Sequence, residues 1–142
     1  MHEKFFTSKQ ASEITGCTPR QLQYWREKRI VVPVVDATGK GRSVYYSRSD
    51  LVALAAMEYC LSVGLSFDAC QETLKTLKEQ EPEFSNPTRA KRFMLWRETS
   101  EQPLKLVEFD LERAIASVAS GQPAISVWLD AIHQRLVRRL NE

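Results

Sequence analysis

Apolar and polar positions along the 142 residues change period several times, and each change marks a candidate element. Thr7 stands three residues before Gln10, the spacing at which each side chain can satisfy a free backbone donor at a helix start. A helix is therefore predicted from Ser8 to about Thr15. Gly16 supplies backbone freedom for a sharp turn, and Thr18, Pro19 and Gln21 repeat the start signal as cap, first-position proline and reciprocal partner. Ala11, Ile14, Leu22 and Trp25 then put apolar groups on facing sides of two short helices, which is the sequence form of a helix-turn-helix.

The period shortens over Ile30 to Val35, a β-branched run holding Pro33, which reads as a short edge strand. Turn chemistry from Asp36 to Gly41 separates it from Val44-Tyr45-Tyr46, so the two runs predict a hairpin, a wing whose tip carries Lys40 and Arg42. Ser47 and Asp50 open a third helix that Gly64 ends, and Ser66 caps a fourth running to about Gln80. The acidic, proline-bearing stretch that follows reads as a linker. This divides the chain into a domain over 1–80, a linker over 81–88 and a small α+β domain over 89–142. In the last part, Arg92 to Trp96, Leu104 to Phe109 and Ala124 to Trp128 look like strands. Leu111, Ala114, Ile115 and Val118 mark a helix stopped at Gly121, and Leu129, Ile132, Leu136 and Leu140 mark a final amphipathic helix with arginines near its end.

Charge changes this picture only once it is divided along the chain. The net value is +2, but residues 1–48 hold nine Lys/Arg against four Asp/Glu, giving +5, and residues 49–142 hold eleven against fourteen, giving −3. Local positive potential on the helix-turn-helix half suits phosphate binding, although such a bias is more often a solvated face. Cys17, Cys60 and Cys70 are widely spaced and read as reduced core residues, and His2 and His133 are too isolated to suggest a metal site. No Ser-His-Asp set, phosphate-cradling glycine loop or histidine pair is present in the sequence, so neither catalysis nor a cofactor is expected. With no signal peptide or membrane-spanning run, the expected location is the cytoplasm.

The ordered series Phe6-Thr7 to Ile14, Gly16-Cys17-Thr18-Pro19-Arg20-Gln21-Leu22-Gln23-Tyr24-Trp25, Pro33, Gly41-Arg42-Ser43-Val44-Tyr45-Tyr46-Ser47 and Asp50-Leu51 resembles the MerR family of bacterial regulators over about residues 5–80. The resemblance implies a mainly α fold with short strands: a winged helix-turn-helix followed by a small α+β C-terminal segment. It also implies that the second helix enters the DNA major groove while the wing holds phosphates. Thr18, Arg20 and Gln21 begin that helix, where side chains meet base edges. Arg and Gln can contact guanine and adenine in bidentate fashion, each contact giving roughly 1–3 kcal/mol of discrimination. Tyr24, Arg42 and Tyr45 match backbone-contacting positions, with Lys40 assisting from the wing. Tyr45 and Tyr46 alternate along a strand, which sends one to the core and one outwards without saying which.

The chain departs from the family pattern at Gln23, where arginine is frequent, at Trp25, where a second tyrosine is common and packing is expected, and at Arg29, a position often held by glycine. The long helix that usually pairs family dimers is missing, because the helical pattern fails at Pro82. The expected partners are double-stranded DNA, a second copy of the chain and RNA polymerase, with no membrane involved. A homodimer would read a palindromic promoter site, pairing through the C-terminal segment by its strand edges and its final helix, near Trp96 and Trp128. An excisionase-like architectural role and a protein-protein adaptor role stand as alternatives.

Overall fold

The computed structural model describes residues 4–36, 44–89 and 91–140. Strand β1 (Phe6–Thr7) leads into α1 (Ser8–Thr15) and α2 (Pro19–Glu27), and both helices begin with the reciprocal caps read from the sequence. Strands β2 (Val35–Asp36) and β3 (Val44–Tyr46) follow, then α3 (Arg48–Ser62) and α4 (Phe67–Gln80). The remainder is β4 (Arg92–Trp96), β5 (Lys105–Glu108), α5 (Leu111–Ala119), β6 (Ala124–Trp128) and α6 (Leu129–Leu140). This is the expected class: helices dominate, and a helix-turn-helix region precedes a small α+β segment.

The first sheet has the order β1-β3-β2, all antiparallel, with Phe6 opposite Tyr46 and Val35 opposite Tyr45. The hairpin thus forms, but the predicted strand over 30–35 shrinks to its last residue plus Asp36. Val31 and Pro33 turn into the interior instead. The Val34 N–H is taken by Asp50 Oδ2 at 3.1 Å, the same oxygen that accepts from Ser47 N at 2.8 Å, so a helix cap uses a donor that a ladder would need. The wing tip with Lys40 and Arg42 lies outside the described residues.

The second sheet has the order β5-β4-β6, with β4 antiparallel to both neighbours. Phe93, Leu95, Leu106 and Val127 fill one face and join a core that also contains Leu51, Leu54 and Met57 of α3 and Leu74 and Leu77 of α4. The stretch read as a linker takes part in this packing. Phe84 is buried in the same core, and the buried Glu81 pairs with Lys91 at 3.3 Å. Its carbonyl side is held too, since His133 Nε2 lies 2.9 Å from the Phe84 carbonyl.

Helix α6 is not the free amphipathic surface expected from the sequence. Leu129, Ile132 and Leu136 are buried, and the helix packs on α3 and α1. Each edge strand also receives a side chain from the helices: Tyr59 of α3 donates to the Ser126 carbonyl, and Gln80 Nε2 of α4 donates to the Leu106 carbonyl at 3.0 Å. The apolar stripe of α6 is therefore spent within the chain, because a fold this small covers itself with whatever apolar faces lie closest.

Candidate nucleic-acid interface

The turn between α1 and α2 is fixed from three sides. Gly16 adopts φ +83°, the left-handed conformation that glycine accepts at little cost, and its N–H donates to the Ser12 carbonyl. Ser12 Oγ donates to the Cys17 carbonyl at 2.6 Å, and the Cys17 thiol donates to the Leu54 carbonyl of α3 at 3.5 Å. Arg139, from the last turn of α6, sends Nη1 to the Ile14 carbonyl at 2.9 Å and so satisfies an acceptor that the end of α1 leaves open. A Cβ on Gly16 would stand 3.3 Å from that Nη1 atom, so a side chain at position 16 would nudge the Arg139 guanidinium as well as strain the backbone.

Beyond this turn, α2 divides into two faces. Leu22 and Trp25 are buried, Trp25 at 1% exposure, so the indole packs as expected. Arg20, Gln23, Tyr24, Glu27 and Lys28 are exposed. Arg20 has no ion-pair partner among the described residues, leaving its guanidinium available to an incoming acceptor. Thr18 and Gln21 are already engaged with each other: Gln21 N donates to Thr18 Oγ1 at 3.1 Å and Thr18 N to Gln21 Oε1 at 2.9 Å. Gln23 donates to Glu27 at 3.0 Å.

Tyr24 is braced by Phe67, the first residue of α4, with ring centroids 5.2 Å apart in an edge arrangement, and Lys28 Nζ sits 5.7 Å from the same ring. On the strand, the alternation left open by the sequence resolves. Tyr46 is buried against the core at 1% exposure, and Tyr45 is the half-buried, outward partner of Thr7 and Val35. The structure thus groups Thr18, Arg20, Gln21 and Tyr24 on one helix and puts Tyr45 on the strand behind the wing. Sequence reading missed Phe67 and Arg139 as supports. Phe67 looked like one more core position on α4, and Arg139 acts across 125 residues of chain.

The three cysteines are free and buried, and burial raises all three thiols, Cys17 to about 11 and Cys60 to about 12. Among the described residues no group of three or more His, Cys, Asp or Glu gathers to hold a metal, and no helix is long and apolar enough to cross a membrane.

Comparison with known proteins agrees with this geometry. A family described as "MerR HTH family regulatory protein" matches residues 6–77, which takes in β1 through most of α4. A Mycobacterium tuberculosis protein described as an uncharacterized HTH-type transcriptional regulator is 32% identical over 71 residues. That match covers 49% of this chain but only 32% of the mycobacterial protein. The HTH-type transcriptional regulator CueR of Vibrio cholerae is 27% identical over 115 residues, covering 80% of this chain and 81% of CueR. With half of its residues matched, from the first strand to the fourth helix, the chain belongs to the MerR family of helix-turn-helix regulatory proteins.

Proposed function

We propose that this protein is a cytoplasmic transcriptional regulator that binds a palindromic promoter site as a homodimer, each copy placing α2 in the major groove of one half-site. In this reading residues 1–80 bind DNA, 89–142 dimerise, and 81–88 join the two. The observation that carries it is the exposed Arg20, without an ion-pair partner among the described residues, at the head of a helix whose start is fixed by a reciprocal cap and whose preceding turn is pinned by Arg139. A guanidinium on a preorganised helix start loses little freedom on meeting a guanine edge.

Arg20 is then the principal base reader. Gln21 can read an adenine with its amide nitrogen while its oxygen stays in the cap, and a bidentate contact would require the cap to open. Tyr24, Lys40, Arg42 and Tyr45 hold phosphates, and Thr18 fixes the entry of the helix. One small module binds duplex weakly, and two copies on a symmetric site supply the missing affinity. RNA polymerase is the partner on which such a regulator acts. Relatives described as transcriptional regulators favour this role over an excisionase-like or adaptor role.

The test is sequencing of genomic DNA captured by the purified protein, followed by binding measurements on the recovered site at several salt concentrations. Arg20→Ala should flatten base preference at one position of each half-site. Arg42→Ala should weaken binding to all duplexes and reduce the slope of affinity against salt by about 1. Uniform loss from both substitutions, with no change in preference, overturns the assignment of roles.

A further inference from the structure

Helix α5 is turned inside out for a surface helix. It contacts β6 and buries Ser117, with Ala114 half-buried beside it, yet Leu111, Ile115 and Val118 are 61%, 60% and 65% exposed. These three share one stripe, since residues four and three apart lie one above the other on a helix. They are more exposed than any other large apolar side chain among the described residues. Ala116 and Ala119 beside them are exposed too. Leaving a Leu, Ile or Val side chain in water forgoes roughly 1.5–3 kcal/mol each relative to burial.

The chemistry of the stripe limits what can cover it. Arg113 is drawn away, 3.8 Å from Asp110 and 5.2 Å from the centre of the Trp96 ring. That leaves Glu112 as the charged residue of α5 beside the stripe, so the surface offers no cation to a nucleic acid and little charge to a charged partner. An identical stripe is its natural complement, and small alanines on the flank allow two helices to approach closely. The α6 apolar face is already buried within the chain, and α5 packs on β6 while α2 packs on α1, so a partner on α5 takes no surface from α2.

We propose that two copies of this chain pair through α5, antiparallel about a twofold axis beside Ile115, with Leu111 of each copy against Val118 of the other. This rests on the homodimer reading above and names its surface. A stable pair needs on the order of 800 Å² from each partner. A nine-residue helix supplies only part of that, and the exposed Ala116 and Ala119 beside the stripe add to it.

Sedimentation of the full chain and of Ile115→Asp, free and on an operator-length duplex, tests the pairing. The expected result is a wild-type dimer and a folded variant whose dimer dissociation constant rises at least ~30-fold, as loss of a central anchor does. A second variant, Ile115→Cys treated with a short bis-maleimide, should give a covalent dimer, because the three native cysteines are buried. A wild-type dimer with no cross-link at position 115, or with Ile115→Asp still dimeric, places the interface elsewhere and overturns the inference while sparing the homodimer. A wild type that sediments as a monomer both free and on DNA overturns the homodimer reading, and this inference with it.

Discussion

The first eighty residues and the final helix reach helical structure by different routes. In the N-terminal part, α1, α2, α3 and α4 each start at a Ser or Thr whose hydroxyl accepts from a backbone N–H three residues on, and three of the four close the box from the other side. Each start is written within four consecutive residues. Helix α6 begins directly where β6 ends, and contacts distant in sequence hold it: Arg92 to Asp130 at 3.0 Å, Arg135 to Glu58 at 3.6 Å, His133 to the Phe84 carbonyl, and Arg139 to the Ile14 carbonyl. The difference teaches that the helix starts of the helix-turn-helix half are set locally, while the turn between α1 and α2 is pinned from the far end of the chain.

The largest test of that division is Leu136→Ala. Leu136 is 2% exposed and belongs to the core that also contains Leu51 and Leu54, so the cavity should cost about 2–5 kcal/mol. Because the core is shared, urea denaturation followed by far-ultraviolet dichroism and by the fluorescence of Trp25, with Trp96 and Trp128 replaced by Phe in wild type and variant alike, should shift together. Separate transitions, with the helix-turn-helix unaffected, would break the comparison by showing that α6 braces nothing.

A second test uses pH. Burial pushes the His133 imidazole below its ordinary value of 6.5, the nearby Arg48 charge adds to this, and the Phe84 carbonyl and Asp130 oppose it. A carbonyl only accepts, so neutral His133 carries its proton on Nε2, and Nδ1 is a buried acceptor with no partner among the described residues. The unfolded chain takes up a proton as pH falls through 6.5 while the folded one resists, so the contribution is complete above that pH and is lost below it. Urea midpoints from about pH 8 down to 5 should fall in the wild type and fall less steeply in His133→Gln. Parallel curves would remove His133 from the account.

What the sequence made legible follows the same division. The bounds of α1, β4, β6 and α4 could be read to within a residue or two because caps, glycines and β-branched runs are local signals. The two-residue β1 carries too little pattern to announce its pairing with β3. The run over 30–35 looked like a strand because nothing local shows that Asp50 captures the Val34 N–H. Residues 81–88 looked like a linker because proline and acidic residues outweigh one aromatic, yet Phe84 is in the core. Helices α5 and α6 have equally clear apolar stripes, and no local rule says that α6 buries its own and α5 does not. For the candidate interface the sequence pointed to Thr18, Arg20, Gln21 and Tyr24, and its capping signal already tied Gln21 to Thr18, but only the structure shows Phe67 bracing Tyr24.

The third test acts on a local signal alone. Thr18→Ala removes the hydroxyl that accepts from Gln21 N and should cost about 1 kcal/mol, read as a lower urea midpoint. An unchanged midpoint would mean that Pro19 and the pinned turn fix the start of α2 without the cap.

The smallest expected effect has the opposite sign. Helices α2 and α3 end in the same motif. Ile30 N donates to the Trp25 carbonyl and Arg29 N to the Arg26 carbonyl, as Leu65 N does to Cys60 and Gly64 N to Leu61. In both, the residue after the last helical position and its cap is left-handed, at φ +94° for Gly64 and φ +57° for Arg29. A side chain there brings Cβ against the following carbonyl, a strain glycine does not have, while glycine loses more backbone entropy on folding. Arg29→Gly should therefore stabilise the protein by about 1 kcal/mol or less, raising the melting temperature by a few degrees at most. It also removes a cation beside α2, so on the proposed function DNA binding should weaken slightly at low salt and converge on wild type at high salt. A melting temperature that falls would show that the Arg29 side chain contributes more to the fold than its backbone strain costs, and that the end of α2, unlike its start, is not set by local conformation.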